Sequence, residues 1–175
     1  MNNPGGKKRS LKPERISHTL PAVFDEQSRI LILGTMPSPR SRQEGFYYGH
    51  PRNRFWSVLA DVFSEKIPDG NNEKENFLLR HHIALWDVLQ SCRIEGADDS
   101  SIRDPVPNEL ELILSRADIR AVFTTGRKAS QLYHRLCFPD TKMEAGYLPS
   151  TSPANCGQQS YEDLVRAYSV ITAFL

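Results

Sequence analysis

The sequence predicts an α/β domain in which helices cover both faces of a short parallel sheet. Four short apolar segments have the length and composition of buried strands, and segments with helical spacing separate them. Glycine or proline follows three of the four and marks their ends. Strands that alternate with helices along a chain form parallel sheets. The predicted strands are residues 29–33, residues 83–89, Ala121–Thr125 and Ala145–Leu148.

The chain has 175 residues, a length that suits one domain with its own buried core. Hydrophobic residues make up 39% and charged residues 25%, as in ordinary globular proteins. No apolar run approaches the roughly 20 residues of a membrane span, so we expect no membrane association. Because the net charge is only +1, any phosphate binding depends on local basic groups and backbone amides.

The three cysteines, Cys92, Cys137 and Cys156, lie far apart and have neither metal-ligand nor redox spacing. An odd number of cysteines, together with a polar, basic N-terminus that does not resemble a secretory signal, favours the reducing cytoplasm. An iron–sulfur cluster held by four thiolates needs more cysteines than the chain has. We therefore expect a cytoplasmic protein with no metal and no cofactor.

Residues 1–19 are expected to form a flexible, basic N-terminal tail, followed by one domain over residues 20–175. The tail is rich in glycine, proline and polar residues and carries Lys7, Lys8 and Arg9. It either solubilises the protein or acts as an arm that attracts phosphate.

Helices are expected after each of the first three strands and at the C-terminal end. Residues 55–63 place apolar side chains on one face, with Asn53 at a position that suits a helix cap. The polar stretch 91–108 is expected to be an irregular loop whose length favours a functional role. The predicted helices are residues 55–63, 73–80 and 108–116, Arg127–Leu136, and residues 161–174.

The segments that follow the four strands are expected to meet at one rim, because ligands of such sheets bind beyond the carboxyl ends of the strands. The first segment, Gly34, Thr35, Met36, Pro37 and Ser38, has a glycine and small residues that let a ligand approach the backbone. The others begin at Asp87, Gly126 and Pro149.

Residues 47–56 add many aromatic and polar groups between the first strand and its helix. Tyr47 and Tyr48 offer flat faces on which a base can stack, while His50, Arg52 and Asn53 offer hydrogen-bond donors. The alternatives are that the tyrosines are core rings, that Asn53 only caps a helix and that His50 makes a structural hydrogen bond.

The segment after the fourth strand places Ser150, Thr151 and Ser152 between two prolines. The prolines stiffen the backbone, and the hydroxyl groups can donate hydrogen bonds to phosphate oxygens. An ordinary turn rich in serine, threonine and proline is the alternative.

These segments together resemble the motifs of the uracil-DNA glycosylase superfamily, most closely its hypoxanthine-DNA (deoxyinosine) glycosylase branch. The resemblance covers the chain from about Arg29 to the C-terminus. It implies a three-layer αβα sandwich around a short four-stranded parallel sheet. It also implies that the protein flips a deaminated base, hypoxanthine above all, out of damaged DNA and hydrolyses its N-glycosidic bond. The motifs that carry it are residues 34–38, 47–56, 85–89, 99–102 and 148–155.

The resemblance also implies roles for particular residues. Met36 stands where mismatch-specific uracil glycosylases have a water-positioning asparagine, so the catalytic role passes to Asn53. Tyr48 matches the aromatic residue that stacks on the flipped base. The base pocket is then formed by Gly34, Thr35, Met36, Pro37, Ser38, Tyr48 and His50, and the contacts to DNA by Arg52, Ser150, Thr151 and Ser152.

Neither residues 34–38 nor residues 148–155 contain a lysine, so we expect a monofunctional glycosylase that forms no Schiff base. We also expect the protein to be a monomer. Three alternatives remain open from the sequence. One is a glycosylase for uracil or thymine mismatches, another is a non-catalytic DNA-binding module of the same fold, and the third is a nucleosidase for small molecules.

Overall fold

The computed structural model describes residues 12–175, so residues 1–11 of the predicted tail lie outside the described residues. The seven strands of the described part are β1 Glu14–Ser17, β2 Ile30–Gly34, β3 Ile83–Asp87, β4 Leu89–Glu95, β5 Asp98–Pro107, β6 Ala121–Thr125 and β7 Ala145–Leu148. The α-helices are α1 Pro39–Glu44, α2 Phe55–Val62, α3 Gly70–Arg80, α4 Glu111–Leu114, α5 Arg127–Leu136, α6 Phe138–Thr141 and α7 Tyr161–Tyr168. Two short 3₁₀ segments flank α7, Pro153–Asn155 before it and Ser169–Phe174 after it.

Four strands form a parallel sheet in the order β3-β2-β6-β7. Every residue of β2 and β3 is buried. Strand β2 is central and apolar on both faces. Strand β3 lies at the edge of this sheet, where Val23 forms an antiparallel bridge to Leu85. Helix α3 packs on β3, α5 packs on β6 and β7, and α2 packs against α7. The predicted αβα sandwich around a four-stranded parallel sheet is confirmed.

A second, antiparallel sheet in the order β1-β4-β5 corrects the prediction for residues 91–108. That stretch is a hairpin and not an irregular loop. Buried and exposed residues alternate only partly along β4, and its pairing with β5 is interrupted by register shifts. These irregularities and the many charged residues hid the two-residue period that identifies a strand in a sequence.

The boundary between tail and domain also differs from the prediction. Residues 14–17 form β1, which pairs with β4, and Tyr47 donates a hydrogen bond to the carbonyl of Pro21. Strand β1 is short and mostly exposed. It is held by backbone hydrogen bonds to β4, which composition does not reveal. The domain therefore includes residues 14–19, which the prediction placed in the tail.

Helices α2, α3 and α5 agree with the prediction to within a few residues at each end. The helix expected over residues 108–116 is reduced to Glu111–Leu114, because the Asn108 amide donates instead to the carbonyls of Asp87 and Leu89. The last helix ends at Tyr168 and continues as a 3₁₀ segment. The Ser160 side chain caps it by accepting a hydrogen bond from the backbone N–H of Asp163.

The strand order places a crevice beside β2. The chain leaves β2 for β3 on one side and returns to β6 on the other, so the loops after β2 and β6 diverge. Crevices of this kind, beyond the carboxyl ends of the strands, are where doubly wound sheets bind ligands. Separately, none of the helices within residues 12–175 is long and apolar enough to cross a membrane.

Candidate active site

A cavity of about 160 Å³ lies at the carboxyl end of the parallel sheet and opens to solvent. Residues at or just beyond the ends of all four parallel strands line it, so the predicted convergence on one rim is confirmed. For comparison, a cavity of roughly 150 Å³ accepts a benzene ring, so the volume is of the order that one flipped base needs. Of the predicted site residues, those that line the cavity are Gly34, Thr35, Met36, Pro37, Ser38, Tyr48, His50, Asn53, Ser150, Thr151 and Ser152.

Tyr48 forms part of the cavity wall. Its ring stacks on Phe55 with centroids 3.8 Å apart, and its hydroxyl lies 3.0 Å from the hydroxyl of Thr125. The backbone at Tyr48 has a φ of +53°, a left-handed conformation that costs a non-glycine residue about 1–2 kcal/mol. The stack and the hydrogen bond hold the ring in place despite this cost, as is common at functional sites.

Asn53 has its amide oriented by two hydrogen bonds. Its Oδ1 accepts from the backbone N–H of Phe55 at 3.0 Å and from the Thr151 hydroxyl at 2.8 Å. A backbone N–H can only donate, so the atom facing it must be the oxygen, and this settles which end of the amide is which. The oxygen is thereby occupied, and the Nδ2 amino group of Asn53 is the end left to act on a ligand.

Thr151 joins the loop after β7 to the segment at residues 47–56. Its side chain is buried, its hydroxyl donates to Asn53, and its carbonyl accepts from the backbone N–H of Arg54. This differs from the expectation that all three hydroxyls of the second loop face DNA. The Thr151 hydroxyl instead holds the Asn53 side chain in position.

Ser150 and Ser152 retain more exposure than Thr151. The oxygen of each side chain accepts a backbone N–H two residues on, from Ser152 and Ala154 respectively. These local bonds stiffen the loop. Each hydroxyl hydrogen stays available to donate to a ligand, because both recorded bonds use the oxygen as an acceptor.

His50 and Arg52 lie on the turn that precedes α2. The Nδ1 atom of His50 accepts from the backbone N–H of Arg52 at 3.0 Å. A neutral His50 therefore carries its proton on Nε2, which can donate to a ligand. Arg52 is exposed and does not line the cavity, so it is placed outside the base pocket.

Met36 is half-buried on the cavity wall, and Leu148 is fully buried in the core. Neither side chain can polarise a base or bind water through a strong hydrogen bond. Pro37 has no backbone N–H, so within the first loop only the amides of its neighbours can donate to a ligand.

Asp87 begins one of the segments predicted to meet at the rim, whereas His18 was not predicted to belong to the site. The His18 Nε2 lies 2.8 Å from Asp87 Oδ2, and both side chains are almost entirely buried. The other carboxylate oxygen lies against Gly34, where an added Cβ would approach it to 2.3 Å. Asp87 stands at the end of a buried strand, a position that marks it as a site residue. Nothing in the sequence points to His18, because the pairing of β1 with β4 brings it there.

Asp99 reaches the cavity from the antiparallel hairpin, together with Ile94, Gly96 and Ala97. Burial raises the pKa of the Asp99 carboxyl, and the charge of Asp87 raises it further, against the lowering effects of the Thr35 hydroxyl and Lys128. Burial and the Asp87 charge also raise the pKa values of Tyr47 and Tyr48. Both phenols therefore stay protonated at ordinary pH.

Comparisons with known proteins agree with this geometry. The family model of the uracil DNA glycosylase superfamily matches residues 21–171. A protein of Methanosarcina acetivorans named hypoxanthine DNA glycosylase is 37% identical over 142 residues, which cover 80% of this chain and 89% of the relative. A protein of the same name from Methanosarcina barkeri is 34% identical over 113 residues, covering 63% and 72% of the two chains.

A solved structure has the same fold. The solution NMR structure of a candidate uracil DNA glycosylase from Methanosarcina acetivorans superposes with a TM-score of 0.73 at 31% sequence identity. The match covers 89% of this chain and 98% of that one. The chain belongs to the uracil DNA glycosylase superfamily, as its motifs predicted.

Proposed function

We propose that the protein is a monofunctional DNA glycosylase that removes hypoxanthine from damaged DNA. The two relatives named hypoxanthine DNA glycosylase support the choice of base, since their similarity extends over most of the domain. The observation that carries the proposal is the site itself. A cavity of the order needed for one base is lined by both predicted loops, with Asn53 oriented between them.

In the proposed reaction, the flipped base enters the cavity with the Tyr48 ring at its wall. Asn53 Nδ2 and His50 Nε2 donate hydrogen bonds to acceptor atoms of the purine. These donors, with the backbone amides of the first loop, stabilise the negative charge that develops on the base as the bond to the sugar breaks. Ser150, Ser152 and Arg52 bind the DNA backbone near the flipped nucleotide.

We also propose that the protein is a cytoplasmic monomer. The three cysteines are free thiols, two of them buried, and this suits a reducing compartment.

The function is tested with duplexes that contain one hypoxanthine, uracil, xanthine or thymine mismatch. We expect release of free hypoxanthine and an abasic site that breaks only after alkali treatment, with slower or no release of the other bases. Faster release of uracil or thymine would replace the proposed substrate. Binding without any abasic product would identify a non-catalytic module, and cleavage of free deoxyinosine alone would identify a nucleosidase.

A further inference from the structure

The cavity holds two carboxyl groups in different surroundings. Asp87 comes from β3 of the parallel sheet, and Asp99 from β5 of the antiparallel hairpin. Two titratable groups whose environments differ in this way commonly divide the roles of acid and charged partner between them. The surroundings of each carboxyl decide which role it can take.

Asp87 is held as an acceptor. Its Oδ2 lies 2.8 Å from Nε2 of His18, which donates to the carboxylate when the imidazole carries its proton on Nε2. Both side chains are almost entirely buried. This contact with His18 fixes the orientation of the Asp87 side chain. Its Oδ1 lies over Gly34, facing the side of the cavity where Tyr48 also approaches.

Asp99 has the opposite environment. It is half-buried, and its charged form is disfavoured by burial and by the negative charge of Asp87, so the pKa of its carboxyl is raised. The carboxyl therefore keeps its proton at a pH where an exposed aspartate has lost it. The charged or titratable groups around it are Asp87 of β3, Asp98 of β5, Lys128 of α5, Cys92 of β4 and Tyr48.

We propose that Asp99 is the general acid that protonates the purine as it leaves, an inference that rests on the proposed function. The bond between the sugar and the base breaks, and its electron pair goes to the base. The Asp99 proton moves to a ring nitrogen, so that hypoxanthine leaves neutral. Water then adds to the sugar carbon and gives its surplus proton to the Asp99 carboxylate, which restores the acid.

The decisive variant is Asp99→Asn, which keeps the shape of the side chain but has no proton to transfer. Positioned acids contribute about 10²–10⁴-fold to a rate, so single-turnover release of hypoxanthine falls by at least about 10²-fold. Affinity for the inosine duplex changes little. Asp98→Asn is the matched control, because Asp98 is the exposed neighbour in the same hairpin and its Oδ1 bonds to Ser100 survive the substitution. It retains the wild-type rate.

The pH profile adds a second readout. In the wild type the protonated form of Asp99 is the active one, so the rate falls as the pH rises through the raised pKa, about tenfold per unit. This falling limb is absent from the Asp99→Asn variant. The same limb in both proteins would overturn the proposal.

A modified substrate separates the acid role from a role in activating water. A purine methylated at N7 is already cationic and leaves without a proton donor. On duplex containing 7-methyl-deoxyinosine, corrected for spontaneous loss, the Asp99→Asn variant approaches the wild-type rate. An equal loss on both substrates would show that Asp99 acts on water instead. If wild-type protein releases no hypoxanthine, the proposed function itself fails. If it does and Asp99→Asn matches it, only the acid role fails.

Discussion

At the residue scale, Gly34 shows how closely the cavity is built around a buried carboxylate. A methyl group on its Cα would lie 2.3 Å from Asp87 Oδ1, much closer than two such atoms can approach, and 3.3 Å from the Tyr48 hydroxyl. The need for glycine arises from this close approach. The sequence showed a glycine after a strand, and the structure shows which side chain fills the space that its missing Cβ leaves.

Gly34→Ala is expected to displace Asp87 and to weaken both the fold and the activity. Forcing one extra carbon into a packed site costs typically about 1–3 kcal/mol. The rate of hypoxanthine release should fall by more than the loss of folded protein accounts for. Gly157→Ala is the control, since nothing lies within 4 Å of the added carbon there. Urea unfolding and single-turnover assays measure both effects, and equal behaviour of the two variants would contradict the packing described at Gly34.

At the element scale, strand β1 completes the site from a distance. It pairs with β4, and just beyond it the backbone N–H of His18 donates to the carbonyl of Gln90. This brings the His18 imidazole to Asp87 of the parallel sheet. The antiparallel sheet thus supports the site in two ways: it places His18 against Asp87, and it places Asp99 on the cavity wall.

His18→Ala is expected to leave the buried Asp87 carboxylate without its donor, which costs about 1–3 kcal/mol. Ser17→Ala, one residue earlier on the exposed face of β1, should change the free energy of unfolding by less than about 0.5 kcal/mol. Urea denaturation of the two variants gives the comparison. A His18→Ala protein as stable as Ser17→Ala would show that the pair with Asp87 contributes nothing to folding.

At the scale of the whole molecule, the packing of the core can be tested through its thiols. Cys92 and Cys137 are buried and Cys156 is exposed. Burial, reinforced by Asp140, raises the pKa of Cys137 to about 11. At pH 8 about one molecule in a thousand therefore carries the reactive thiolate there.

Iodoacetamide at pH 8 is accordingly expected to label Cys156 in the native protein, and Cys92 and Cys137 only after unfolding. Mass spectrometry of digested protein locates the labels, and a Cys156→Ser variant should remain unlabelled under native conditions. Labelling of Cys137 as fast as Cys156 would contradict the packing of α5 and α6 around it.

The sequence predicted the parallel half of the molecule well, because its strands are short and mostly apolar and three of the four are followed by glycine or proline. Both loops of the cavity followed from the same pattern and from the resemblance of their motifs. Strand β1 and the hairpin escaped prediction, since their polar strands are held by backbone pairing to distant segments. His18 escaped with them, and Asp99 was predicted only as part of the motif at residues 99–102, with no role in the cavity. The hydrogen bond from Thr151 to Asn53 joins residues 98 positions apart in the chain, so neither segment alone could predict it.

The central claim is that the Asn53 amino group acts on the departing base while its oxygen is occupied. Asn53→Asp tests this most directly, because it keeps an oxygen for Phe55 and Thr151 and replaces the amino group with a carboxylate oxygen, which accepts hydrogen bonds but cannot donate one. Thr151→Val is the comparison, since it removes one positioning hydrogen bond and leaves the donor.

The measurement is single-turnover release of hypoxanthine from an inosine duplex, with folding checked by thermal melting. Removing one donor that stabilises developing charge lowers a rate by about 10²–10³-fold, and this is the result expected for Asn53→Asp. Thr151→Val should lose less than about tenfold. Release by folded Asn53→Asp at the wild-type rate would contradict the account.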